Sequence, residues 1–158
     1  MKDTWGKPDP KPEKQDKKKP VKSIASLLKK MRKNEDRDKA KKELDEVFSI
    51  FIRQRGMNEQ GITRCFTCGK FDYWKKLQCG HYWGRKEIGT RWDEINCQTQ
   101  CFSCNCKKEG NKPAFTLNLI KKYGEGILSK LEINKNRVVK TGAFEMNLQI
   151  NHYKSLIK

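Results

Sequence analysis

The chain has 158 residues, of which 35% are hydrophobic and 35% are charged, and its formal net charge is +17. This length suits one modest domain with tails, and so small an apolar fraction favours a core that a bound metal helps to hold together. No apolar run is long enough for a signal peptide or a membrane span, so we expect a cytoplasmic protein without membrane contact. The one-sided charge favours a polyanionic partner, nucleic acid by default, over a solubilising surface.

Residues 1–22 are predicted to form a disordered basic tail. They contain eight lysines, four acids and four of the five prolines, a composition that does not build a core. The tail is either idle or an arm that attracts phosphates. Most of the positive charge lies beyond it, which predicts a phosphate-contacting surface on the folded part.

Residues 23–56 are predicted to form an N-terminal helical region with two helices. Ser23 can cap a short helix that runs through Lys33. Asn34 or Asp36 can then begin a longer helix.

The longer helix carries an apolar stripe. Leu44, Val47, Phe48 and Phe51 follow the spacing i, i+3, i+4 and i+7, which places them on one helical face. The stripe is expected to pack on the core, and the alternative is a dimer interface. Gly56 is a plausible end for this helix.

Residues 57–112 form the next predicted region, in which turn residues, aromatics and cysteines replace helical periodicity. Short hairpins are expected around Thr63–Phe66 and Tyr73–Cys79, and a short helix is expected to follow Cys101.

Residues 113–158 are predicted to form a C-terminal helical region. Pro113 suits the first turn of a helix whose buried face would hold Phe115, Leu119 and Ile120. Gly124 and Gly126 then interrupt the pattern. Two further helices are expected: one begins at Ile127, Leu128 and Leu131, and a weaker one spans Phe144 to Ile157.

Two Cys-x-x-Cys pairs predict a structural zinc site. Cys65 and Cys68 form one pair, Cys101 and Cys104 form the other, and 32 residues separate them. Zinc takes four tetrahedral ligands and thiolates suit it well, while a reducing compartment disfavours disulfides. Gly69 suits the tight turn that follows the first pair. Because four cysteines fill the coordination sphere, the zinc would be structural.

Three cysteines remain outside this set: Cys79, Cys97 and Cys106. They are either buried or incidental thiols, or one of them replaces a ligand of the zinc site. Cys97 is the strongest competitor, because it lies four residues before Cys101.

His81 is the candidate general base for hydrolysis of a phosphodiester. Such a reaction needs a deprotonated water and a cation near the scissile phosphate, and neutral histidine can accept the proton. A lone histidine is more often structural, but His81 lies between the two cysteine pairs. His152, the other histidine, is expected to be a surface or packing residue.

Polar residues near the cysteines complete the candidate site. The amide oxygen of Asn105 can ligate Mg²⁺, although the residue can equally close the knuckle or cap a helix. Asn96 either orients His81 or braces its loop by backbone hydrogen bonds. Arg85 can contact the phosphate or bind DNA more generally. Lys107 and Lys108 are further candidates for substrate contacts.

These segments resemble the phage recombination protein family known as NinG or Rap, within the HNH or His-Me finger nucleases. The resemblance covers about residues 44–130 and rests on the following segments: Cys65-x-x-Cys68, Gly80-His81-Tyr82, Arg91-Trp92-Asp93-Glu94-Ile95-Asn96, Gln100-Cys101-x-x-Cys104-Asn105 and Gly110-Asn111, with Phe51-Ile52-Arg53-Gln54-Arg55 before them. The ending Cys-x-x-Cys-Asn with Glu109-Gly110-Asn111 also resembles the phage junction resolvase endonuclease VII.

The resemblance implies an α+β fold, in which a small ββα-metal core with a four-cysteine zinc site is flanked by helices. It implies Mg²⁺-dependent cleavage of branched DNA, chiefly Holliday junctions and D-loops, in phage recombination. His81 matches the general base, Asn96 the middle Asn of the HNH pattern, and Asn105 a Mg²⁺ ligand. The four cysteines of the two pairs match structural zinc ligands.

Gly80 departs from the wider superfamily, in which many members have a metal-binding Asp before the histidine. The replacement ligand would be Asp93, Glu94, a main-chain carbonyl, or water and phosphate oxygens.

Three functions are therefore open. The leading one is a junction-cutting endonuclease, expected to be a homodimer because a four-way junction needs two symmetric cuts. The others are a non-catalytic zinc-stabilised protein that binds nucleic acid, and an HNH nicking or restriction-like nuclease.

Overall fold

The computed structural model describes residues 24–158, and the predictions for residues 1–22 and for Ser23 lie outside them. Over the described residues the chain forms four α-helices and two two-stranded antiparallel sheets. In chain order these are α1 (Ile24–Gln54), β1 (Ile62–Arg64), β2 (Phe71–Tyr73), β3 (Gln78–His81), β4 (Cys97–Gln100), α2 (Lys112–Tyr123), α3 (Ile127–Asn136) and α4 (Ala143–Leu156). The predicted α+β class is confirmed, and within residues 24–158 no helix is long and apolar enough to span a membrane.

Helix α1 is continuous, so the predicted break at Asn34 or Asp36 is wrong. Ile24–Gln54 contains no glycine or proline, and the surrounding lysines, arginines and glutamates are good helix formers. A single Asn or Asp costs a helix too little to end it. The helix ends just before Gly56, as predicted.

The two halves of α1 differ in their surroundings. The described side chains before Ala40 are exposed, and from Ala40 onward one face is buried. That face packs on α4 and on β3–β4. The buried members of this core are Ala40, Leu44, Val47, Phe48, Ile52, Cys79, Cys97, Met146, Ile150 and Tyr153. The Leu44–Phe51 stripe therefore packs on the core, the first of its two alternatives.

A second apolar cluster joins α2 and α3 to the middle of the chain. Its buried members are Phe115, Leu119, Ile127 and Leu131. The ring of Phe115 also packs against the rings of Phe66 and Tyr82, whose centroids lie 5.1 and 5.5 Å from its own. Burial of each such side chain contributes about 1.5–3 kcal/mol. The predicted helices at Pro113, Ile127 and Phe144 are confirmed as α2, α3 and α4.

The first sheet is a hairpin around a cysteine knuckle. Strands β1 and β2 pair with Thr63 opposite Asp72. The turn between them is closed by the Cys65 N–H to Lys70 carbonyl bond, at 2.8 Å. Gly69 sits in this turn with φ of 78°, a conformation that favours glycine. The expected hairpin at Thr63–Phe66 is confirmed.

The second expected hairpin, at Tyr73–Cys79, is wrong. That segment leaves β2, makes a short 3₁₀ turn at Trp74–Lys76 and enters β3, which belongs to the other sheet. Strand β3 pairs instead with β4, with His81 opposite Cys97. The loop of residues 82–96 connects the two strands. A single π-helical turn, Ser103–Lys107, follows β4, where a short helix was expected.

Candidate functional site

Four cysteines converge where the two sheets meet. Cys65 and Cys68 lie in the knuckle after β1, Cys101 follows β4, and Cys104 lies in the π-helical turn. Their sulfurs all lie within 4.8 Å of one another, and the Cys68 and Cys101 sulfurs are 3.8 Å apart. Tetrahedral zinc with bonds of about 2.3 Å needs sulfurs about 3.8 Å apart. The cluster can therefore hold a zinc ion as predicted.

Hydrogen bonds stabilise the ionised form of the Cys65 thiol. It lies 3.3 Å from the Thr67 hydroxyl and accepts a 3.3 Å bond from the Cys101 N–H. Burial opposes ionisation of this thiol, but these two bonds, together with backbone hydrogen bonds from Cys68 and Thr67, outweigh burial and lower its pKa to about 6. The pKa values of Cys68 and Cys101 are raised, first by burial and then by neighbouring thiols. All four thiols can ionise together only around a cation, which is what a zinc site supplies.

The remaining cysteines lie elsewhere. Cys97 is fully buried in the core beneath α1 and groups with Cys79 and His81, so it does not replace a member of the four-cysteine cluster. Cys106 is exposed, and its thiol donates to Gln78 Oε1 at 3.3 Å.

Three of the predicted catalytic and substrate-contacting residues line one open cavity of about 300 Å³. His81 ends β3, Arg85 lies in the loop after it, and Asn105 lies in the π-helical turn. The rest of the lining is Cys79, Gly84, Glu109 and Gly110. Residues 24 positions apart in sequence therefore face one cavity, because β3 and the π-helical turn lie side by side.

His81 is neutral at physiological pH. Burial and, next, the positive charge of Arg85 lower its pKa to about 4, while hydrogen bonds to the backbone of Arg91 and Cys79 oppose the shift. A neutral imidazole has a nitrogen lone pair that can accept a proton from water. This is the protonation state that a general base needs.

Asn105 is oriented by a neighbour on β3. Its Nδ2 donates to Gln78 Oε1 at 2.8 Å. With the amide nitrogen engaged, the carbonyl oxygen Oδ1 is left to accept or to ligate. Asn105 also donates its backbone N–H to the Cys101 carbonyl, so it belongs to the helical turn and does not cap it.

Glu109 is the one carboxylate among the described residues that line this cavity. It has a left-handed backbone conformation with φ of 47°, which turns the chain back after the π-helical turn. Sequence reasoning assigned it no role, although it lies four residues after Asn105. That spacing, close to one helical turn, was the available signal.

Asp93 and Glu94, the carboxylates expected to replace the missing Asp, lie away from the cavity. Asp93 Oδ1 accepts the N–H groups of Ile95 and Asn96 at 2.8 and 3.0 Å, and so it shapes a turn. Glu94 lies 3.7 Å from Arg55 and accepts the Tyr153 hydroxyl at 3.3 Å. Both are engaged in structural contacts and do not line the cavity, whereas a main-chain carbonyl, water and phosphate oxygens stay open as replacements.

Gly80 packs so closely against Gln100 that a side chain at position 80 would clash with it. A Cβ at this position would lie 1.9 Å from Gln100 Oε1. Gln100 is fully buried and donates to Thr67 Oγ1 at 3.2 Å and to the Gly110 carbonyl at 2.8 Å. Because side chains alternate along a strand, position 80 also points away from the face that carries His81. A side chain at this position would require Gln100 to move.

Asn96 braces the loop of residues 82–96, the second of its two alternatives. It is fully buried, and its Nδ2 donates to the carbonyls of Trp83 and Thr90, each at 2.9 Å. Its Oδ1 accepts the Trp83 N–H at 2.7 Å. The loop is tied further by Arg91, which forms an ion pair with Asp45 on α1. Asn96 therefore acts on the position of the loop that carries Arg85.

A second, larger groove of about 630 Å³ lies against β1, β4 and α2. Its described lining includes four cationic residues and no acidic one; the four are Arg55, Arg64, Lys121 and Lys122. Lys107 and Lys108, the other predicted substrate contacts, are exposed at the end of the π-helical turn and do not line either cavity.

The fold and the cysteine cluster define an α+β protein whose two small sheets meet at a four-cysteine centre that can bind metal. The model of the family described as "Bacteriophage Lambda NinG protein" matches residues 2–158, and the chain belongs to this family. The predicted NinG membership is therefore confirmed.

Two curated relatives show the extent of the similarity. Over 97 residues the chain is 29% identical to "Protein ninG" of Escherichia phage 933W and 28% identical to "Protein ninG" of Escherichia phage lambda. Each match covers 61% of this chain, and 46% and 45% of the respective relatives, so the chain spans about half the length of the relatives it matches. No solved structure matches.

Proposed function

We propose that this protein is a metal-dependent DNA endonuclease of the HNH or His-Me finger type that cleaves branched DNA during phage recombination. The observation that carries the proposal is the single cavity lined by His81, Arg85, Asn105 and Glu109, beside the four-cysteine centre. These side chains are a base, a phosphate-binding cation and two oxygen donors. Hydrolysis of a phosphodiester requires this set of groups.

Each residue has a separate task in the proposed reaction. Neutral His81 accepts the proton from the attacking water. Asn105 Oδ1 and the Glu109 carboxylate would hold Mg²⁺, which would stabilise the charge that develops on the phosphate. Arg85 binds a non-bridging phosphate oxygen, and its charge also keeps His81 unprotonated.

Zinc has a structural task in this proposal. The four cysteines join the knuckle after β1 to the π-helical turn that carries Asn105. The knuckle and this turn would separate without the ion, and Asn105 would lose its position relative to His81.

Branched DNA as the substrate is supported by the family resemblance and by the distribution of charge. The groove that holds Arg55, Arg64, Lys121 and Lys122 offers a second place for a phosphate backbone, apart from the catalytic cavity. A junction has arms that leave in different directions, so it can engage both surfaces. Two symmetric cuts across a four-way junction would be made by a homodimer.

The test is cleavage of a labelled four-way junction beside a linear duplex of matching sequence. The wild type and His81→Ala are each incubated with Mg²⁺ and with chelator. We expect Mg²⁺-dependent cutting of the junction alone, and loss of cutting with retained binding in the variant. Cutting by His81→Ala at the wild-type rate would show that His81 is not the base.

The second candidate is a non-catalytic DNA-binding protein. The close packing of Gly80 against Gln100 favours this candidate, because position 80 then lacks the metal-binding carboxylate that many nucleases of the superfamily have there. This candidate predicts tight binding and no turnover with any divalent ion. A nicking or restriction-like enzyme is distinguished in the same assay, since it would cut the linear duplex as readily as the junction.

A further inference from the structure

Three soft donors lie together on one face of β3–β4, apart from the four-cysteine cluster. Cys97 is directly opposite His81 in the strand register, and Cys79 precedes His81 by two residues. Side chains two apart on a strand, and those directly opposite across a pair, share a face. The two sulfurs and an imidazole nitrogen all lie within 4.8 Å of one another.

The surroundings of this cluster suit a thiophilic ion. Cys97 is fully buried and Cys79 is 5% exposed, with α1 and α4 packed over them. A hard ion such as Mg²⁺ prefers oxygen ligands, whereas zinc accepts two thiolates and an imidazole. Two thiolates around a divalent ion make a neutral unit, which an apolar core tolerates better than separate charges.

The cluster also has a route to solvent. Cys79 and His81 line the 300 Å³ cavity that holds Asn105 and Glu109. An ion can therefore enter from the cavity.

We propose that Cys79, His81 and Cys97 form a second metal site, which binds Zn²⁺ or another thiophilic divalent ion and holds His81 in an inactive state. Binding breaks two S–H bonds, forms two metal–sulfur bonds and one metal–nitrogen bond, and releases two protons to solvent. The imidazole lone pair that would accept a proton from water is then committed to the ion. This consequence for activity rests on the proposed nuclease function, whereas binding of the ion does not.

Cobalt tests the site directly, because Co²⁺ takes zinc's geometry and its visible spectrum reports the number of thiolate ligands. The metal-free protein is titrated with Co²⁺, and the stoichiometry and spectrum are recorded for wild type, Cys79→Ser and His81→Ala. The matched control is Cys106→Ser, which removes an exposed thiol outside both clusters. Circular dichroism, together with retention of the ion in the four-cysteine cluster, shows that each variant is folded.

We expect two ions per chain in the wild type and in Cys106→Ser, and one in Cys79→Ser and His81→Ala. The ion that is lost should have the spectrum of a site with two thiolates. One ion in the wild type, or two ions in both ligand variants, would overturn the proposal.

The inhibitory consequence is measured separately, as junction cleavage in Mg²⁺ with increasing Zn²⁺. The wild type should lose activity as the second ion binds, and Cys79→Ser should need at least about tenfold more Zn²⁺ for the same fractional loss. Inhibition of both at the same Zn²⁺ concentration would overturn the inactive-state role. If no protein cuts in any condition, the nuclease proposal fails, and the cobalt stoichiometry still decides the second site.

Discussion

At the scale of single residues, the cavity shows what residue type and spacing can predict. His81, Arg85 and Asn105 were chosen from a local pattern, and the structure brings them together around one cavity. Asp93 and Glu94 were the two side chains among the alternatives for the missing Asp, beside a main-chain carbonyl and water or phosphate oxygens. Both instead satisfy local partners, and only the chain reversal at Glu109 brings a carboxylate to the cavity. The spacing of four residues from Asn105 is a weak signal for this placement, because it does not show where the chain reverses.

Glu109→Gln tests the assignment of this carboxylate. The amide keeps the size of the side chain but removes the charge that attracts Mg²⁺, so cleavage at low Mg²⁺ should fall by at least about tenfold. Raising the Mg²⁺ concentration should restore part of the loss, and binding to the junction should stay unchanged. The measurement is the cleavage rate as a function of Mg²⁺ concentration.

Glu125→Gln is the matched control, since Glu125 is exposed in the turn between α2 and α3 and does not line the cavity. It makes the same change in net charge. If Glu109→Gln and Glu125→Gln have the same Mg²⁺ dependence as the wild type, Glu109 is not a ligand.

At the scale of elements, local signals predicted the helices and the knuckle, but not the pairing of strands. Pro113, the glycines at 124 and 126, and the tight turn at Gly69 act over a few residues, and the structure follows them. Strand β3 pairs with β4 across a loop of residues 82–96, and such pairing depends on the whole fold. The sheet that carries His81 was therefore the part that local patterns could not place.

Asn96→Ala tests how that loop is held. The substitution leaves the buried carbonyls of Trp83 and Thr90 without their donor, and each such loss costs about 1–3 kcal/mol. We expect the free energy of unfolding, measured by urea denaturation, to fall by at least about 2 kcal/mol. Cleavage should fall as well, because the loop carries Arg85.

Asn151→Ala provides the comparison, since Asn151 is exposed on α4. Its free energy of unfolding should stay within about 0.5 kcal/mol of the wild-type value. A stable but inactive Asn96→Ala protein would contradict the bracing role and indicate that Asn96 acts on His81 itself.

At the scale of the whole molecule, the net charge of +17 predicted a polyanionic partner but not where it binds. The structure separates two surfaces, the cavity that Arg85 lines and the groove with Arg55, Arg64, Lys121 and Lys122. Arg55 is partly engaged in structural hydrogen bonds, since its guanidinium donates to the Glu94 and Cys97 carbonyls. Lys121 and Lys122 are exposed on α2, and they are the residues of the groove best placed to reach a phosphate backbone.

A double variant in which Lys121 and Lys122 are both replaced by glutamine tests whether DNA binds in this groove or is attracted only by the net positive charge. If both lysines neutralise phosphates, the slope of log binding constant against log salt concentration should fall in magnitude by about 2. The same double replacement at Lys29 and Lys30, exposed in the first half of α1, changes the net charge equally and should leave the slope near the wild-type value. Binding to a four-way junction is measured by fluorescence anisotropy at several salt concentrations. Equal effects of the two double variants would mean that DNA responds to total charge, and the groove on α2 would then have no special part in holding a junction arm.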